Sequence, residues 1–240
     1  MSDAVTVRPK DWVPFRCRLC GSCCRDLRGN LMPEQLDAHR LARFLRERGE
    51  LEFMEDFYTK YTYPDMLEGF FPIFMMNTAG PDDSCVFLEN GRCSVHDCKP
   101  TVCALFPLGR VIIGEKFGEP IEDLDNLQVK YMLNEHSCGS AKRVNTVRSW
   151  LARFGIPEHD EFYLLWNKVL MSLTPAIMKL EEAKVSEPVL SMFWDAIYQT
   201  LYLQYDTNQD FMPQFQAAAD KLLRLSEEIM KAQPPAHQEA

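Results

Sequence analysis

The chain has 240 residues, 46% hydrophobic and 25% charged, with a formal net charge of −9; a globular chain of this size buries a sizeable core without disulfide staples. The negative balance argues against nucleic acid or an anionic membrane surface as partner, and no apolar run of about 18 residues predicts a transmembrane helix. The N-terminus MSDAVTVRPKDWVPF lacks the apolar core of an export signal, which points to the cytoplasm, where the nine cysteines read as metal ligands or redox groups.

In chain order, residues 1–16 are expected to be an extended lead-in, with Pro9 and Pro14 breaking regular structure. Cys17-Arg18-Leu19-Cys20-Gly21-Ser22-Cys23-Cys24 follows, and Gly21 permits the tight path that clustered thiols require. A helix is predicted over Pro33–Arg48, with Leu36, Leu41, Phe44 and Leu45 on its apolar face and Gly49 at its stop. Its basic face, Arg40, Arg43, Arg46 and Arg48, reads as solvated surface. A second helical piece is expected over Leu51–Tyr61.

Residues 64–84 show no clear period and are expected to be irregular, packing apolar side chains over the cysteine region. Cys85–Leu88 and Cys93–His96 read as strands around Glu89-Asn90-Gly91-Arg92, because Asn-Gly between apolar runs suits a turn that needs positive φ. Such a hairpin would bring Cys85 and Cys93 to one end of a ladder. Lys99-Pro100 opens a short helical turn carrying Cys103, Phe106-Pro107 closes it, and Arg110–Gly114 suits a strand.

Beyond Cys138 the pattern becomes helical. Asn145 can cap a helix through Phe154, and a second helix from near Glu158 carries Phe162, Leu165, Trp166, Val169 and Leu173 on one face. Ser186-Glu187-Pro188 starts a third. The last carries Phe211, Phe215, Ala218, Leu222, Leu225 and Ile229 as a heptad-like seam that suits packing within a bundle or against a partner chain, the bundle being preferred. The fold class is therefore mainly α with a small β-hairpin: a cysteine-rich metal-binding lobe over 15–140, a helical bundle-like lobe over 141–232 and a disordered tail over 233–240.

Thiolates are soft anionic ligands that suit zinc, copper(I) and iron–sulfur clusters. Cys17, Cys20 and Cys23 form C-x2-C-x2-C, like the first three ligands of bacterial ferredoxin motifs, but without the fourth Cys followed by Pro. Successive side chains point apart, so Cys24 either reaches a second metal or stays a buried thiol. Arg16, Arg25 and Arg28 either offset thiolate charge or serve solubility alone. His96 and His136 are weaker ligand candidates. Asp82 and Asp83 read first as turn residues and second as outer groups around a metal.

Phe15-x-Cys17-x2-Cys20-Gly21-x-Cys23-Cys24, Cys85-x-Phe87-Leu88-x2-Gly91-x-Cys93-Ser94 and Lys99-Pro100-x2-Cys103-x2-Phe106-Pro107 together resemble the YkgJ-family cysteine cluster proteins, zinc- or iron-chelating domains with a CxxCxxCC motif. The resemblance covers roughly residues 15–140. It implies Cys17, Cys20, Cys23, Cys24, Cys85, Cys93, Cys103 and Cys138 as ligands, with Cys98 an extra thiol. The family extends to the longer flagellin lysine N-methylases.

Three functions follow as expectations. The first is an iron–sulfur protein of unassigned reaction, favoured over zinc because eight thiols exceed the needs of one zinc ion. The second is a zinc-stabilised interaction module whose helical lobe binds a protein. The third, by resemblance alone, is a protein lysine N-methylase-like enzyme; against it, the chain has neither G-x-G-x-x-G nor the C-x3-C-x2-C of radical S-adenosylmethionine enzymes. Thiol–disulfide exchange lacks its C-x-x-C in a βαβ context.

Overall fold

In a computed structural model of the chain, residues 5–68, 71–114, 121–135, 138–140 and 145–231 are described. Helices predominate, and the strands form several small antiparallel sheets instead of a single hairpin. The N-terminal stretch is not a bare lead-in: it contributes β1 (Val5–Val7) and β2 (Trp12–Val13). Both strands pair with residues far along the chain, so local pattern could not reveal them. Pro9 and Pro14 lie outside both strands.

Helix α1 (Gln35–Glu47) buries Ala38, Leu41, Ala42 and Leu45. It ends where Gly49, at φ 74°, donates back to the Arg46 carbonyl. Its basic face is a correction to the solvated reading. Arg43 donates to the carbonyls of Thr207 and Gln209, each at 2.7 Å, and Arg46 reaches the Thr207 hydroxyl at 2.7 Å. Arg40 binds Asp37 and the Lys99 carbonyl. These guanidinium groups tie α1 to the loop 206–209 and to the segment leading to Cys103. Helix α2 (Met54–Tyr61) starts later than expected, where Asp56 accepts from the Glu52 and Phe53 amides.

The stretch expected to be irregular is a hairpin, β3 (Thr62–Leu67) against β4 (Phe71–Met76), with Thr62 opposite Met76. Five of the six β4 residues are buried, so no alternation marked it as a strand. β5 (Thr78–Ala79) then pairs β6 (Ser84–Cys85), and β7 (Leu88–Glu89) pairs β8 (Arg92–Cys93). Asn90 and Gly91 both take positive φ, 49° and 76°, as the Asn-Gly reading requires. Cys85 and Cys93 belong to separate ladders, however: Cys85 faces Thr78 and Cys93 faces Leu88.

Helix α3 (Thr101–Leu105) carries Cys103 and runs into a cis Phe106-Pro107 bond. β9 (Leu108–Ile113) and β10 (Gln128–Leu133) complete a sheet in the order β1-β10-β9. β11 (Asn145–Thr146) pairs β2. The cap of α4 (Val147–Arg153) is Thr146, one residue later than expected: its hydroxyl accepts from the Ser149 amide at 3.2 Å, and Asn145 lies in β11 opposite Val13. Helix α5 (Glu161–Glu182) is capped by Asp160, and Phe162, Trp166, Val169 and Leu173 are buried along it as expected. Helix α6 (Glu187–Tyr198) follows Ser186 and passes into a π-helical turn, Gln199–Leu203. Helix α7 (Phe211–Lys231) packs on α5 through Phe211, Phe215, Ala219 and Leu222; Ala219 takes the buried place expected for Ala218. The tail 233–240 lies outside the described residues.

Two apolar clusters hold these elements. The larger joins Leu41, Phe57, Phe71, Trp166, Leu201 and Phe215, and so draws on both sides of residue 140. The smaller gathers Phe15, Leu105, Tyr131, Trp150 and Leu151, with the Trp150 indole donating to the Leu105 carbonyl at 3.0 Å. Burying each such large side chain contributes about 1.5–3 kcal/mol. Buried Arg110 on β9 binds both Glu34 oxygens at 2.5 Å, pairs with Asp160 and lies 3.7 Å over the Tyr163 ring. It thereby clamps the starts of α1 and α5 to the sheet. No helix among the described residues is long and apolar enough to cross a membrane.

Candidate metal centre

The first cysteine motif is held at both ends by backbone. Arg16 and Ser140 exchange two hydrogen bonds, at 3.0 and 3.1 Å, which sets Cys17 beside the Cys138 segment. Gly139 makes that approach possible: its φ is 80°, and a Cβ there would lie 2.3 Å from Phe15 Cε2. Within the motif, the Leu19 amide donates to Cys17 Sγ at 3.3 Å, with Leu19 itself at φ 54°. Gly21, at φ 69°, presses on the Asn-Gly turn; a Cβ there would meet the Gly91 carbonyl oxygen at 2.9 Å. A short 3-10 turn, Ser22–Cys24, ends the motif.

Residues just beyond it bind the second cysteine group. The Asp26 and Leu27 amides donate to the Asp82 and Asp83 carbonyls at 2.9 and 3.0 Å, Arg25 pairs with Asp82, and Arg28 with Asp83 at 2.8 Å. Arg25 and Arg28 are thus matched by carboxylates next to Cys85, and Asp82 and Asp83 hold arginines in addition to shaping a turn. Farther on, buried Asp37 accepts from the Thr101 amide at 2.9 Å and the Thr101 hydroxyl at 2.6 Å. That bond fixes the start of α3 and hence Cys103.

The result is a cavity of about 300 Å³ lined by all four cysteines of the first motif and by Cys85, Cys93, Cys103 and Cys138. Cys98 is half-buried and is not among the described lining residues. His96 reaches the cavity; His136 lies outside the described residues. The lining cations are Arg18, Arg92 and Lys99, and no described lining residue is Asp or Glu. All nine cysteines are free thiols. Among the described residues, no three His, Cys, Asp or Glu side chains already converge on one ion-sized point; the sulfurs line a shared wall.

Their protonation is uneven. The hydrogen bond from Cys24, helped by the Lys99 charge, pushes the Cys23 thiol down to about 6, and Cys24 is raised as the donor of that pair. Burial raises Cys85, Cys93, Cys103 and Cys138. Outside the cavity, burial lifts Cys98 to about 11.

As a donor set, eight thiols with three cations and no carboxylate fit a soft metal that binds thiolate, and do not fit calcium or magnesium. Sequence reasoning did not single out Asp37, Lys99, Thr101 or Gly139 as supports. Gly139 directly after a candidate ligand, and an acid in the first turns of the helix expected over Pro33–Arg48, were the available signals. Residues 16–139 match the CxxCxxCC family, described as "putative zinc- or iron-chelating domain". No curated protein and no solved structure matches the chain.

Proposed function

Because this chain belongs to the CxxCxxCC family of zinc- or iron-chelating domains, we propose that its cavity cysteines hold a polynuclear metal centre, with iron–sulfur preferred to zinc. The carrying observation is that Cys17, Cys20, Cys23, Cys24, Cys85, Cys93, Cys103 and Cys138 share one cavity from which the ninth thiol stands apart. Eight thiols exceed one tetrahedral zinc site, and the C-x2-C-x2-C spacing is that of cluster ligands. A bound cluster would supply one-electron chemistry. The chain supplies thiolates, nearby cations in Arg18, Arg92 and Lys99, and apolar walls in Phe15, Phe87 and Phe106. Nine free thiols suit the reducing cytoplasm.

The test is anaerobic purification followed by a visible spectrum and assays of iron, zinc and acid-labile sulfide on the same sample. A brown protein with matched iron and sulfide is expected. Cys20→Ala should lose metal and Cys98→Ala should retain it; equal loss in both would defeat the ligand assignment. A colourless protein with about two zinc ions per chain would favour the second reading, a zinc-stabilised interaction module. That reading has one observation of its own: α6 leaves Val189 50% and Met192 72% exposed, an apolar face suited to a protein partner.

A further inference from the structure

Building on the metal-centre reading, we infer that Lys99 is the cation that tunes the centre. Of the three lining cations it is the one that offsets thiolate charge from inside the wall, and so sets how firmly metal is held and how readily the centre takes up an electron. It acts through the ligands and is therefore a positioning residue.

Lys99 stands between half-buried Cys98 and buried Pro100, at the entry to α3. Helix α1 grips this entry twice. Arg40 donates to the Lys99 carbonyl at 2.7 Å, and Asp37 accepts from the Thr101 amide at 2.9 Å. The side chain thus leaves from a fixed point on the cavity wall. Lys99 is half-buried, and its ammonium lies 4.4 Å from the centroid of the Phe154 ring, which packs on the same small apolar cluster as Cys17 and Cys138. The ring's negative face attracts a cation and holds it in place without neutralising it. Among the described residues, no carboxylate forms an ion pair with this ammonium; its contacts are the Phe154 ring and the cavity.

Arg18 and Arg92 line the same cavity but are exposed. Water and salt screen an exposed charge strongly and a half-buried one much less. The electrostatics of the thiols agree with this ranking. Cys23 is lowered by the hydrogen bond from Cys24, against burial, and the Lys99 charge lowers it further. Burial raises Cys93, and the Lys99 charge opposes that rise. One ammonium therefore acts on both cysteine groups, the first motif and the second.

The sign of its effect follows from charge. Metal binding converts neutral thiols to thiolates, and thiolates in such numbers leave the loaded centre with net negative charge. A fixed cation beside them favours the loaded state over the empty one. Reduction adds one more negative charge, so the same cation favours the reduced state as well. Removing the cation should loosen the metal and make reduction harder. Arginine should replace it, glutamine should not, and glutamate should reverse its effect.

The experiment compares Lys99→Arg, Lys99→Gln, Lys99→Glu and Arg92→Gln with wild type, each full-length, purified without oxygen and assayed for metal. All keep the backbone bond from Arg40, and melting curves verify the fold. Competition with EDTA reads retention whether the metal is iron or zinc. Where iron is present, a dithionite titration followed in the visible spectrum reads the potential at which the centre takes one electron from that reductant. Lys99→Gln should yield its metal at roughly tenfold lower EDTA, the scale of one partly screened unit charge, and Lys99→Glu at lower EDTA still. The potential should become more negative in the same order. Lys99→Arg and Arg92→Gln should stay near wild type, and the ranking should persist at about 1 M salt. Glutamine and glutamate variants that match wild type, an arginine variant as impaired as glutamine, or an equal effect of Arg92→Gln would each overturn the assignment while leaving the metal centre standing. Wild-type protein isolated with no metal would instead defeat the metal-centre reading, and this inference with it.

Discussion

Gly139 shows how much of the candidate site depends on a missing side chain. Its left-handed backbone and its contact with the Phe15 ring allow the 138–140 segment to pair with Arg16. Gly139→Ala would place a methyl group inside a buried aromatic ring, with the Arg16 carbonyl oxygen 3.0 Å away as well. Neither neighbour is the loose end of a flexible chain. The substitution should cost about 2–4 kcal/mol, combining backbone strain with overpacking, and should loosen metal held by Cys138. A urea midpoint indistinguishable from wild type would show that this contact is not made in solution. The neighbouring cysteines were legible because C-x2-C spacing is local chemistry. The glycine's role was not, because the ring it touches lies 124 positions earlier in the chain.

At the scale of elements, two arginine-based contacts carry predictions. Arg43 on α1 makes two short bonds to carbonyls of the loop 206–209. Arg43→Ala should therefore destabilise the chain by about 1–3 kcal/mol, the worth of charge-assisted hydrogen bonds. A solvated arginine would lie within about 0.5 kcal/mol of neutral, so thermal denaturation separates the two cases. The clamp around Arg110 is more deeply buried, with its own side chain 5% exposed and Glu34 11%. Arg110→Met leaves Glu34 and Asp160 facing each other unpaired and should cost about 3–5 kcal/mol.

The clamp also has a pH signature. Burial, opposed by Arg110 and reinforced by Asp37, raises Glu34 from 4.5 to about 7 in the folded chain. The folded state keeps a proton there that the unfolded chain has released. The stability from that proton is fully present below 4.5 and is lost as pH rises through about 7. Subtracting the pH–stability curve of Glu34→Gln from that of wild type should leave a difference that falls across this window. A flat difference would mean that Glu34 stays ionised against Arg110.

For the whole molecule, the metal centre is expected to be a fastener. Its candidate ligands run from Cys17 to Cys138 and sit where the two apolar clusters meet the first motif. Metal removal should lower the melting temperature and loosen the smaller cluster first, since that cluster depends on Phe15 and the Arg16–Ser140 bridge. The check is fluorescence of a chain in which Trp150 is the sole tryptophan, with and without chelator. An unchanged signal and melting curve would assign the metal no structural role. Binding itself should strengthen with rising pH, because burial keeps most of the cavity thiols protonated and each must lose its proton to become a ligand.

The amino-acid order alone made legible whatever depends on neighbours within a few residues. It showed the apolar faces of α1, α5 and α7, the Asn-Gly turn at 90–91, the helical turn carrying Cys103, and the thiol spacing that names a class of metal. Tertiary structure alone decided which distant groups meet. It paired Val5–Val7 with Tyr131–Leu133, buried β4 so fully that its alternation vanished, and turned the arginines of α1 from surface charge into loop anchors. It also matched Arg25 and Arg28 to aspartates and left Arg18, Arg92 and Lys99 around the thiols. Helical periodicity and turn chemistry are short-range and leave a record at every residue. Strand pairing, ion pairing and the gathering of separate cysteines are set by loop closure and burial across the whole chain, and no local window contains them.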